Sequence, residues 1–199
     1  RPTVDELRSC TSDEVCRGFE LTFAGAGIEQ PWEPAAFYMA FLDEQAYVGN
    51  ARLSMDNVID FGLWAMLIQA HDCHFKNQFL NCVYERGGHT IHKIPWDLNN
   101  TFGDVWCDDA KDTNYTDYRI GDLVMDGCFE RFVESGDPAV YKAIQDRWSE
   151  LRSGPVRTDL LLEQVRTLHE DIYPAIQRDS RRWTGCGMGE GNAANTRDI

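Results

Sequence analysis

Runs of apolar and polar positions divide the chain into helical stretches placed around one extended pair. After a mixed opening, the pattern predicts a short acidic helix and then a strand or loop around Phe19 to Phe23. The Pro31 and Pro34 pair punctuates a new element, and Ala35 to Leu42 reads as a short apolar helix. Ser54 stands where a cap belongs, ahead of a helix whose body, Val58 to Ala70, is apolar on almost every side. A helix without a polar face is one surrounded by other elements, so this is the expected core helix.

The polar stretch His71 to Asn77 follows. Phe79 to Tyr84 and Thr90 to Ile94, joined through Gly87 and Gly88, then read as a β-hairpin. Three helices are expected near the end. The first carries Leu123, Val124, Cys128, Phe129, Phe132 and Val133 and stops at Gly136. The second opens on Asp137-Pro138, a cap followed by a first-turn proline, with Val140, Ile144, Trp148 and Leu151 as its stripe. Thr158 is expected to cap the third, through Leu161, Val165, Leu168 and Ile172, with Pro174 bending or breaking it before Ile176 to Trp183. These stripes are read as core-forming rather than as a partner groove. Residues 185–199, with glycines and no periodicity, read as a disordered tail.

Composition narrows the picture. In 199 residues, 43% are hydrophobic, enough for a sizeable core, and the longest apolar stretch, Leu63 to Ile68, is far short of a membrane span. Acids outnumber Lys and Arg by 33 to 19, a net charge of -14, which opposes binding to nucleic acid and suits cations and basic partners. The seven cysteines include no C-x-x-C pair, which argues against a zinc knuckle; Cys10 with Cys16 is one disulfide the spacing allows. The chain opens on Arg1-Pro2 without a methionine and reads as a fragment or processed form.

The chemistry concentrates around the hairpin. A hairpin returns the chain to its starting point, so the loop before it, with Asp72 and Asn77, should lie beside the loop after it, Ile94-Pro95-Trp96-Asp97-Leu98-Asn99. Magnesium takes hard oxygen ligands, usually one or two carboxylates, and fills its remaining positions with water and substrate phosphates. Asp97 with the Asn77 side-chain oxygen has that composition. Asp72 could orient or deprotonate an attacking hydroxyl. An Asp five positions before a metal-binding Asn, with a further Asp on the next loop, is also the arrangement in protein kinases.

Other readings compete. Asp97 could be a loop cap, Trp96 a buried anchor of the same loop, and Asp72 with Asn77 an Asx-turn. His71, Cys73, His74, His89 and His92 invite zinc, but H-x-C-H is not a ligand spacing, and strand alternation would send His89 and His92 apart. Asp108, Asp109 and Asp112 lack the EF-hand frame, so the acidic loop from Asp104 to Asp126 reads as solvated. Gly25-Ala26-Gly27 lacks the frame of a phosphate loop.

Ser54-Met55-Asp56-Asn57-Val58-Ile59-Asp60-Phe61, Asp72 with Asn77, and Ile94-Pro95-Trp96-Asp97-Leu98-Asn99 with Phe102-Gly103 together resemble the kinase domain of the spore coat protein H (CotH) family. Arg147-Trp148, Arg178-Asp179 and Arg182-Trp183 resemble its helical end. The resemblance implies an α+β, mostly helical fold: an atypical protein-kinase-like C-terminal lobe with a central β-hairpin over residues 35–184, preceded by a connecting segment at 1–34. It implies transfer of phosphoryl from ATP to protein Ser/Thr with Mg²⁺ or Mn²⁺, with Asp97, Asn77 and Asn99 as metal ligands and Asp72 as the catalytic residue. The implied partner is a protein substrate, such as a basic or Ser-rich surface or coat protein, and the implied location is a spore coat, cell surface or secreted one. A surface or adhesion module on the same fold and a zinc-dependent hydrolase are the rival functions. Two departures stand out: Asn99 replaces the second Asp many members carry, and no lysine precedes Ser54. Without that lysine the match resembles a C-terminal lobe alone, which is expected to bind nucleotide weakly.

Overall fold

The computed structural model describes residues 3–10, 15–16, 19–22, 28, 30–44, 46–70, 73, 77–85, 88–98, 101–102 and 127–182. The chain forms two compact units, Arg1–Ile144 and Gln145–Ile199.

In the first unit, α1 (Val4–Ser9) starts with a capping box: Thr3 Oγ1 accepts from the Glu6 amide at 3.2 Å, and the Thr3 amide donates to Glu6 Oε2 at 2.8 Å. A two-stranded ribbon, β1 (Val15–Cys16) and β2 (Phe19–Glu20), follows, in the region where an extended segment was expected. Helix α2 (Glu33–Leu42) has Pro34 in its first turn and buries Ala36, Tyr38, Met39 and Ala40. The expected core helix is α3 (Met55–Leu67), which buries Val58, Ile59, Phe61, Leu63 and Ala65. Burying aliphatic or aromatic side chains of this size contributes about 1.5–3 kcal/mol each.

The hairpin is longer than its apolar pattern shows. Strands β4 (Gln78–Glu85) and β5 (Gly88–Pro95) pair antiparallel, from Gln78 with Pro95 to Glu85 with Gly88. A third strand, β3 (Ala51–Leu53), joins β5 in parallel, giving the order β3-β5-β4. Three residues are too few to show a period. Beyond Leu53, the Asn57 side chain takes over the pairing: its Oδ1 accepts from the Lys93 amide at 2.6 Å and its Nδ2 donates to the Lys93 carbonyl at 3.2 Å.

Alternation along β5 sends His89, Ile91 and Lys93 to the core and His92 to the opposite face, as the sequence predicts. Helices α2 and α3 pack on β5, and α4 (Gly127–Glu134) packs on α2 and α3 through buried Cys128 and Phe129. Gly62 permits that approach, since a Cβ there would overlap the Phe129 ring. The expected stop is Gly136, in left-handed backbone at φ 66°. α5 (Pro138–Ser153) begins as expected too, with Asp137 Oδ1 accepting from the Ala139 amide at 2.8 Å.

Five expectations change. Ser54 occupies the cap position of α3 but its side chain makes no capping bond; its amide donates to the Ile91 carbonyl at 2.9 Å instead. Thr158 is the first residue of α6 (Thr158–Arg182) rather than its cap, and its hydroxyl accepts from Arg152 at 3.0 Å. Pro174 lies inside α6 and does not break it. The carbonyl that loses its donor there belongs to Glu170, an exposed position where water can replace the bond. The stripes of the last two helices differ: Val140 of the α5 stripe is buried, but among the described residues none of α6 is, and Leu168 and Ile172 stay 60% and 51% exposed. Periodicity specifies an amphipathic face but not what covers it. Finally, Cys10 is in the reduced form rather than in a disulfide, its thiol donating to the Glu6 carbonyl at 3.3 Å.

No helix among the described residues is long and apolar enough to cross a membrane. The acidic loop, Gly25 to Gly27 and residues 185–199 lie outside the described residues.

Candidate active site

The hairpin joins the two loops at its open end. Asn77 immediately precedes β4 and Asp97 follows β5 by two residues, and the Gln78–Pro95 pair sets them side by side. The Trp96 amide donates to the Asn77 carbonyl at 2.8 Å, extending the ladder by one bond. The Asn77 side-chain Nδ2 donates to the Asp97 carbonyl at 3.1 Å. Cys73 supports the same knot, its thiol donating to the Asn77 carbonyl at 3.4 Å and its amide to Ala70 at 3.0 Å.

Asn77 and Asp97 both hold left-handed backbone, at φ 55° and 51°. Asn and Asp tolerate this conformation better than other side-chain-bearing residues. Phe102, at φ 53°, is a less tolerant type, and its amide is tied to the Ile68 carbonyl at the end of α3 by a 2.6 Å bond. Left-handed residues held by surrounding bonds cluster at functional sites.

This geometry constrains the chemistry. The Asn77 amide nitrogen donates to the Asp97 carbonyl, and the amide's other polar atom, its oxygen, is the one whose chemistry suits a metal. That oxygen and the exposed Asp97 carboxylate are hard donors and too few to enclose an ion, a composition that fits magnesium or manganese completed by water and phosphate oxygens. Among the described residues no three His, Cys, Asp or Glu side chains gather as a metal cluster. His89 is spoken for, with Nε2 3.8 Å from Glu33 Oε2 and its ring against Tyr84 at 4.9 Å. Asp72, Asn99, His71 and His74 lie outside the described residues.

Trp96 corrects an expectation. Expected as a buried anchor, it is 60% exposed, with the Phe79 ring edge-on to it at 5.2 Å. Phe79, itself 40% exposed, escaped the sequence reading as a surface residue. The available signal was alternation, since Phe79, Asn81 and Val83 share one face of β4 and two of the three are apolar.

Behind the knot, Lys93 is 2% exposed, with Nζ 4.5 Å from the Phe61 ring centroid and 5.6 Å from that of Tyr38. Burial pulls its pKa down to about 8, with Cys128 and Cys73 opposing the shift. Beside it, burial pushes the Cys128 thiol up.

No curated protein and no solved structure matches the chain. A family model described as CotH kinase protein matches residues 43–198, a span that includes the α3 start, the Asn77–Asp97 knot and the last three helices. The chain therefore belongs to the CotH kinase family.

Proposed function

We propose that this chain carries the metal- and hydroxyl-handling half of an atypical protein Ser/Thr kinase, a kinase-like C-terminal lobe that transfers phosphoryl from ATP to a protein hydroxyl. The observation carrying this reading is the juxtaposition of Asn77 and Asp97 across the hairpin mouth. Asp97 and the Asn77 side-chain oxygen would hold Mg²⁺ or Mn²⁺, with Asn99 as a further, neutral ligand. Asp72, five residues before Asn77, would orient and accept the proton of the incoming hydroxyl.

The metal, when bound, neutralises charge on the transferring phosphate. The chain's part is positioning. Its ladder bonds, left-handed residues and the Phe102–Ile68 tether fix the Asp97 backbone before any substrate arrives, and such preorganisation is where electrostatic catalysis obtains its advantage. Full-length protein incubated with ATP and Mg²⁺ or Mn²⁺ should phosphorylate itself or an added protein on Ser/Thr, and Asp97→Ala should abolish the transfer. Undiminished transfer by Asp97→Ala would refute the assignment.

A further inference from the structure

The sheet has one open edge. On β5, the His89 amide bonds to the Asn50 carbonyl, the Ile91 carbonyl accepts from Ser54, and Lys93 is bracketed by Asn57; the backbones of these three residues therefore face the β3 side. Thr90, His92 and Ile94 must then face β4, where they pair with Val83, Asn81 and Phe79. It follows that Leu80, Cys82 and Tyr84 turn their backbone N–H and C=O groups away from β5, toward the free edge of β4. Among the described residues no strand takes them up, and the sole bond there is a local one, from the Cys82 thiol to the Leu80 carbonyl at 3.6 Å.

The composition of this edge matches its openness. From Gln78 to Tyr84 there is no charged residue and no proline, the usual devices that keep an edge from pairing. Phe79, Val83 and Tyr84 on the same strand are exposed. The edge also leads directly into the candidate active site, because Asn77 is the residue before β4.

We infer that the free edge of β4 is a docking site for an extended basic polypeptide with apolar residues at alternate positions, which adds to the sheet as a fourth strand. Main-chain bonds to Leu80, Cys82 and Tyr84 would hold it, and its apolar side chains would cover Phe79 and Val83. Charge selects this occupant over a second copy of the chain, since two bodies of net charge -14 repel and a cationic segment is attracted. At roughly 3.3 Å per residue, a segment paired with Leu80 reaches the Asn77–Asp97 knot about three residues later. The inference deepens the kinase reading by naming how a protein substrate would approach, but docking can be measured without ATP.

The probe is a fluorescein-labelled nine-residue peptide alternating lysine and valine around a central serine, followed by anisotropy at near-physiological salt. Its comparator is the same peptide with alternate backbone amides N-methylated, which keeps charge and side chains but removes the edge-pairing donors. The peptide should bind, while the methylated form and Leu80→Pro should each bind at least tenfold more weakly. Leu80 contributes no N–H to the β4–β5 ladder, so this proline spares the hairpin; Cys82→Pro, whose amide also faces outward, serves if Leu80→Pro fails to fold by circular dichroism. Equal binding of both peptides, undiminished binding by a folded proline variant, or absence of binding overturns the inference. So does a chain dimer that Leu80→Pro dissociates, because the occupant would then be a second copy. Docking without transfer by the full-length protein would count against the kinase reading alone, and transfer unaffected by Leu80→Pro against the docking site alone.

Discussion

The side-chain amide of Asn77 donates to the main-chain carbonyl of Asp97 at 3.1 Å across the mouth of the hairpin, and both residues sit in left-handed backbone. One residue thus has two separable duties, a backbone conformation and a side-chain bond. Asn77→Gly keeps the conformation and loses the bond, at a cost of about 1 kcal/mol. Asn77→Ala loses both and should cost a further ~1–2 kcal/mol. Urea unfolding of the two variants checks the split. Equal losses would mean that the left-handed conformation costs alanine nothing here.

Asn57 replaces a missing stretch of strand by bracketing both backbone groups of Lys93. Asn57→Ala removes both of these bonds beside the core, and should lower stability by about 2–3 kcal/mol. Amide hydrogen exchange should accelerate at Lys93 well before it does at Ile91. Uniform acceleration along β5 would contradict the local role.

Gly62 lies where α3 meets α4. Glycine to alanine normally stabilises a helix interior by about 1 kcal/mol, but here the new methyl would overlap the Phe129 ring. Gly62→Ala should therefore destabilise by about 1–3 kcal/mol, and Phe129→Leu in the same chain should recover part of the loss. Thermal unfolding of the single and double variants distinguishes overpacking from helix propensity.

Lys93 gives the fold a pH signature. Its folded pKa of about 8 lies below the ordinary 10.5, so the unfolded chain binds more protons above pH 8 and stability rises with pH there. Cys82, pushed up to about 11 from 9.0 by burial, acts oppositely: its contribution is fully present below pH 9 and is lost as pH rises through 11. Tyr47, raised to about 12 from 10.0 by burial and by its bond to Glu33, follows the same sign above pH 10. Between pH 8 and 9 the lysine dominates among the described groups, the buried Cys82 and Cys128 thiols offsetting part of its effect, and stability should climb by up to about 1 kcal/mol. Lys93→Met should abolish the climb and be more stable than the parent at pH 7 by ~1–3 kcal/mol. A flat parent profile from pH 8 to 9 would refute this.

What the sequence made legible was local. The hairpin, the Gly136 stop and the Asp137-Pro138 start rest on neighbouring residues, and each appears in the fold. The partnership of Asn77 with Asp97 was readable because a hairpin converts a separation of 20 residues into adjacency. Strand β3 was not readable, since Ala51 to Leu53 pair in parallel with β5, some 38 residues onward, and no local pattern encodes that. Nor could periodicity tell the covered stripe of α3 from the uncovered one of α6. Trp96 misled because aromatic residues are usually buried, whereas its strand neighbour Phe79 supplies only an edge to lean on.

The central claim is that Asp97 and Asn77 together hold a divalent cation for ATP. Electron paramagnetic resonance of Mn²⁺ titrated into the chain, with and without ATP, tests this directly and requires no turnover. The account predicts protein-bound manganese that ATP strengthens, with affinity falling at least tenfold in Asp97→Ala and measurably in Asn77→Gly, both still folded. Manganese bound equally well by Asp97→Ala, or not bound by the folded parent even with ATP, would contradict it.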